Sequence, residues 1–130
     1  MDPRFDALGM VVSDMAATLA FYRLLGLDIP ADADRESHVE AVLPGGIRLM
    51  WDTIELVRSF SDWDAPAGGH RISLAFRCDR IDDVDATHAT LVTTGYRSHA
   101  APFDAFWGQR YATVLDPDGN PVDLFAPVDG

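Results

Sequence analysis

A histidine and several carboxylates at alternate positions are the first chemical signal in this chain. His38 and Glu40 stand two residues apart, and Arg48, Met50 and Asp52 repeat that spacing a few residues later. In extended chain each set projects to one side. An imidazole beside carboxylates can move protons, ligate a metal or hydrogen-bond a bound molecule. The second signal is aromatic. Trp107, Gln109, Tyr111 and Thr113 alternate before an Asp116-Pro117-Asp118-Gly119 turn, and Asp123 and Phe125 alternate after it. Such a face is either a pocket wall or a solvated surface. As a wall, the Trp107 indole would stack on a planar ring for about 0.5–1.5 kcal/mol beyond simple burial.

Other chemistries find less support. His38, His70, His88 and His99 include no close pair with metal-ligand spacing. Cys78 ends an apolar run, where a small passive side chain suffices, and there is neither a Gly-x-Ser-x-Gly elbow nor a phosphate-cradling glycine loop. No metal and no cofactor are expected. Met50 reads as a soft pocket wall or a core filler, and Trp51, opposite to it by alternation, as packing. Phe60, Trp63 and Phe103 would either cover a ligand or cap the core.

These side chains need strands to hold them. Residues 8–12 are a short apolar run, followed by Ser13-Asp14, which suits a helix cap, and by helical spacing through Met15, Leu19 and Tyr22 up to Gly26. Residues 27–30 make a short extended piece, 31–36 a loop, and 38–43 with 47–52 a hairpin around Pro44-Gly45-Gly46. Residues 54–60 form a short helix, and 61–69 are the longest connection. The order then repeats: a strand over 71–77, a helix from Asp79 to Gly95, a short extended piece from Tyr96, and a hairpin over 106–125 whose first strand includes Trp107. This predicts one domain, 1–130, with an internal duplication: module one over about 5–54, a connection over 55–69 and module two over about 70–127.

Composition excludes partners rather than choosing one. Twenty-one Asp and Glu against ten Lys and Arg leave a net charge of −11, a field that repels phosphate backbones and anionic lipid. No nucleic acid and no membrane are expected. A lone cysteine and the lack of an apolar leader make the cytoplasm the expected location.

The residues carry a resemblance as well. Val11-Val12-Ser13-Asp14-Met15, Phe21-Tyr22-Arg23, Leu25-Gly26 and the run from Tyr111 to Asn120 resemble the glyoxalase/bleomycin resistance/dioxygenase group, the vicinal oxygen chelate superfamily, over nearly the whole chain. The resemblance implies an α+β fold of two tandem βαβββ modules, curved mixed sheets around a cavity, and a homodimer. It also implies metal-ligand positions in the enzymes of the group, which here hold Ala7, Leu49 or Met50, Ser73 and Asp123. Only Asp123 is a normal ligand for a hard divalent ion. Further segments, among them His38 to Leu43, Trp51-Asp52-Thr53, Gly68-Gly69-His70-Arg71 and Phe106 to Tyr111, look like the mitomycin-binding branch of the drug-resistance members. That likeness implies a quinone held between His38 and Trp107.

The expectation is therefore a non-catalytic protein that confers antibiotic resistance by sequestering a planar aromatic or quinone-containing natural product, mitomycin-like or enediyne-like. Its ligand-binding set is His38, Glu40, Met50, Asp52, Phe60, Ser73, Phe103, Trp107, Gln109, Tyr111 and Asp123. Two alternatives stand beside it: a metal-free or atypical enzyme of the same fold, with Asp52 or Glu40 as general base, and an interaction module without small-molecule affinity.

Overall fold

The computed structural model describes residues 4–65 and 72–128. The chain divides into two compact units, Met1–Ala67 and Gly68–Gly130. Both are α+β, each with one mixed sheet.

In the first unit β1 (Ala7–Val12) runs parallel to β3 (Arg48–Thr53), and β2 (His38–Val42) pairs antiparallel on its other side. A parallel pair needs a crossover, and α1 (Met15–Leu24) supplies it. Asp14 starts that helix by accepting the Ala17 N–H at 3.1 Å. One face of the helix buries Met15, Thr18, Leu19, Phe21 and Tyr22, and the sheet contributes Val39, Ala41, Leu49 and Trp51 to the same core. Tyr22 meets Trp51 with ring centroids 5.4 Å apart. Burial of each such large side chain is worth about 1.5–3 kcal/mol.

Two expectations fail between α1 and β2. Residues 27–30 pair with no strand, because Arg23 takes the Ile29 carbonyl at 2.9 Å and the Pro30 carbonyl at 2.6 Å. The first sheet therefore has three strands. The polar stretch read as a loop closes into a 3-10 turn over Ala31–Arg35, with Asp34 paired to Arg23 at 2.9 Å. A short helix, α2 (Ile54–Arg58), follows β3 directly.

The second sheet has the order β4-β7-β6-β5, from Leu74–Arg77, Pro121–Pro127, Gln109–Leu115 and Ser98–Ala105. The crossover helix α3 (Ile81–Thr94) begins two residues later than expected and stops at Gly95, whose φ of +119° suits glycine. It packs on β5, β6 and β7, where Val84 and Leu91 join Ala112, Val114, Val122 and Leu124 in the core. Arg110 on β6 clamps the helix by holding both oxygens of Asp85, at 2.9 and 3.0 Å. Arg71 lies outside the described residues, and β4 itself covers only Leu74–Arg77.

The main correction concerns Trp107. It is not on a strand. The short extended piece expected after Tyr96 is an eight-residue strand, β5, that pairs antiparallel with β6, so Phe106-Trp107-Gly108 is the turn of a first hairpin. Gly108 has φ of +91°, a conformation only glycine adopts easily, and its N–H bonds the Ala105 carbonyl at 3.0 Å. The Asp-Pro-Asp-Gly turn then joins β6 to β7 as expected. There Asp116 accepts the backbone N–H groups of Asp118 and Asn120, and Gly119 takes φ of +85°.

Candidate ligand-binding faces

Sheet register brings the polar residues of the first unit together. His38 lies opposite Asp52, and Glu40 opposite Met50, so all four side chains project from one face, away from α1. His38 Nδ1 bonds an oxygen of Asp52, and Nε2 bonds Glu40 at 2.7 Å. The second Glu40 oxygen accepts from Arg48 at 2.7 Å, and Arg48 also donates to Asp6. These hydrogen bonds hold the His38 imidazole above its ordinary pKa, Glu40 first and Asp52 second, and hold Glu40 below the usual carboxylate range through His38 and then Arg48. Met50 lies over Gly9 of β1, where a Cβ would come within 3.6 Å of its terminal methyl. Phe60 does not join the group. It follows α2, exposed, with its backbone N–H on the Val57 carbonyl.

In the second unit the face away from α3 carries an aromatic corner above a buried carboxylate. Phe103 of β5 lies opposite Tyr111 of β6. From the turn, Trp107 folds back on both, edge to face, with centroids 6.3 Å from Phe103 and 5.3 Å from Tyr111. Its indole N–H donates to Gln109 Oε1 at 2.8 Å, which leaves the half-exposed ring face as its contact surface. Asp123 of β7 is buried and satisfied by three hydroxyl donors: Tyr111 at 2.7 Å, Thr113 at 2.8 Å and Ser73 at 3.3 Å. Burial first, then Asp123, pushes the Tyr111 phenol up to about 12.

The four positions that the resemblance assigns to metal ligands hold a donor set that does not fit a hard divalent ion. Ala7 has no donor, Leu49 is buried on the helix side, Met50 offers a thioether and Ser73 an alcohol. The Asp123 oxygens already accept three hydrogen bonds. Among the described residues no three His, Cys, Asp or Glu side chains converge to hold a metal. His70, with Gly68 and Gly69, lies outside those residues. A cleft of about 430 Å³ opens in the first unit between Arg4, Phe5, Asp6 and the Gly45-Gly46-Ile47 turn, at the end of the sheet opposite His38 and Asp52.

Sequence reasoning misses one member of these faces and the role of another. Phe106, almost fully exposed, meets Trp107 edge to face at 5.0 Å, and adjacency within one turn was its available signal. Alternation puts Thr113 on the Tyr111 face without assigning it a role, and its bond to Asp123 follows from their direct pairing across β6 and β7. Among the described residues no helix is long and apolar enough to cross a membrane.

The model of the glyoxalase/bleomycin resistance protein/dioxygenase superfamily matches residues 4–124. No curated protein matches the chain. A glyoxalase/bleomycin resistance protein/dioxygenase family enzyme from Burkholderia phytofirmans PsJN is 19% identical with a TM-score of 0.77, covering 96% of this chain and 99% of its own. A glyoxalase-related enzyme from Fulvimarina pelagi is 15% identical with a TM-score of 0.80, covering 95% and 87%. A glyoxalase/bleomycin resistance protein/dioxygenase from Nocardioides is 21% identical with a TM-score of 0.75, covering 100% and 87%. At such identities the likeness to these structures is one of fold. With a family model spanning almost its whole length, the chain belongs to the glyoxalase/bleomycin resistance protein/dioxygenase superfamily.

Proposed function

We propose that this protein binds a planar aromatic or quinone-containing natural product, mitomycin-like or enediyne-like, without transforming it, and so confers resistance by sequestration. The observation that carries the reading is the aromatic corner. Trp107, Phe103 and Tyr111 pack edge to face around an exposed indole whose only polar atom is already hydrogen-bonded. A surface of that kind offers a ligand area and quadrupole rather than proton transfer. Glu40 makes a weak general base, because His38 and Arg48 stabilise its ionised form. His38, Glu40, Met50 and Asp52 are proposed as the polar recognition surface, and the working form as a homodimer.

Native mass spectrometry against a panel of quinone, glycopeptide and enediyne antibiotics tests this, since it reads ligand, stoichiometry and dimer together. The ligand is expected back with its mass unchanged after prolonged incubation, and product formation with turnover would overturn sequestration. Trp107→Ala is expected to keep its circular dichroism spectrum and to lose about tenfold or more in affinity, equivalent to about 1.4 kcal/mol. Unchanged affinity of the folded variant removes Trp107 from the site.

A further inference from the structure

The Asp123 carboxylate is met by hydroxyls. Tyr111 Oη donates to it at 2.7 Å, Thr113 Oγ1 at 2.8 Å and Ser73 Oγ at 3.3 Å. A carboxylate only accepts and a hydroxyl has one hydrogen, so all three hydrogens point inward and the oxygens turn their lone pairs outward. Donating to an anion also makes each oxygen a stronger acceptor toward a further partner. Sheet pairing fixes this geometry. Asp123 stands between Thr113 and Ala75, and Tyr111 and Ser73 lie two residues before them on the same face. Thr113 is buried, whereas Ser73 is exposed and Tyr111 half-buried, so the last two oxygens are the ones open to a ligand.

Tyr111 also belongs to the aromatic corner, its ring 5.3 Å from the Trp107 indole and 6.2 Å from Phe103. One phenol therefore joins the stacking surface to the hydroxyl cluster, and a ring laid on Trp107 brings its edge substituents toward Tyr111 Oη. Side chains able to donate stand away from the cluster on this face, Gln109 beside Trp107 and Arg77 in register with Phe125. We propose that the hydroxyl cluster held by Asp123 is an acceptor subsite for an amino or hydroxyl group on the ligand's ring. Amino- and hydroxy-substituted rings, quinones among them, are thus taken in preference to the same rings without a donor. This rests on the reading of the chain as a binder of planar aromatic products at Trp107, and it names the substituent that such a ring carries.

The test is calorimetric titration with two quinones of matched outline, 2-amino-3-methyl-1,4-naphthoquinone and 2,3-dimethyl-1,4-naphthoquinone. They differ only in an amino group against a methyl, and full substitution of the quinone ring keeps Cys78 from adding to either. The readout is the ratio of the two Kd values in the wild type and in Asp123→Asn. Asparagine sets an N–H2 group in place of one carboxylate oxygen. The buried Thr113 hydroxyl keeps the amide oxygen as its acceptor, so the N–H2 donates to Tyr111 and Ser73 and turns their hydrogens toward the ligand. The wild type is expected to favour the amino probe by about three- to tenfold, the worth of one hydrogen bond. In the variant the ratio should fall to about one, with the affinity for the dimethyl probe unchanged. A wild-type ratio near one, or a variant ratio equal to that of the wild type, overturns the acceptor subsite while leaving aromatic binding in place. Failure of both probes to bind the wild type overturns the parent reading and this one together. If Asp123→Asn does not fold, Tyr111→Phe, which keeps the ring and removes its oxygen, takes its place with the same expected loss of preference.

Discussion

Asp123 shows how hydroxyl donors can hold one buried carboxylate. Its oxygens accept hydroxyl hydrogen bonds from Tyr111, Thr113 and Ser73, which replace the water lost on burial. Asp123→Leu would leave the buried Thr113 hydroxyl and the Tyr111 phenol without their acceptor, and is expected to cost about 2–4 kcal/mol in urea denaturation. Asp123→Asn keeps one acceptor oxygen and should cost about 1–2 kcal/mol. The same change removes a negative charge from the phenol. The Tyr111 pKa, raised to about 12 by burial and by Asp123, should therefore move down toward its ordinary value in an absorbance titration, with the burial part retained. In the wild type a raised phenol pKa stabilises the fold at pH values below the unfolded-state pKa. That contribution is lost as pH climbs from about 10 toward 12, which alkaline unfolding would register.

Helix starts and sheet register decide which of these side chains meet. Asp14 caps the N-terminus of α1, a helix with no acid in its first turn. Asp14→Ala is expected to destabilise the protein by about 1 kcal/mol, read as a lower urea midpoint with unchanged slope. The helix-ending Gly26 and Gly95 and the turn at Gly119 were legible in the sequence, because each carries a local backbone demand that few other residues meet. Alternation likewise placed His38 with Glu40 and Arg48 with Met50 and Asp52. That the two sets share a face depends on pairing between strands, which periodicity alone does not supply. Alternation misplaces Trp107 for a related reason, since the sequence makes β5 look too short. Pro102 and the polar Ser98 and His99 hide that strand, and only its pairing with β6 turns Phe106-Trp107-Gly108 into a hairpin end.

Net charge acts on the chain as a sum, and its sign yields a further prediction. The attractive ion pairs, Arg23–Asp34, Arg48–Glu40 and Arg110–Asp85 among them, are partly exposed and individually worth little. Against them stand 21 acidic and ten basic side chains, a net charge of −11 whose members repel one another. Compacting the chain brings those charges together and opposes folding. Raising NaCl from about 10 mM to 300 mM shortens the Debye length from about 30 Å to under 8 Å, which suppresses the long-range repulsion more than the contact pairs. The thermal midpoint is accordingly expected to rise with salt by about 3–5 °C, the shift that roughly 1 kcal/mol produces in a domain of this size. A midpoint that falls with salt would instead mean that the Asp52–His38–Glu40–Arg48–Asp6 chain and the Arg110 clamp together outweigh the excess negative charge. The paired Glu40→Gln and Asp85→Asn variants would then show the reversed salt dependence disappearing.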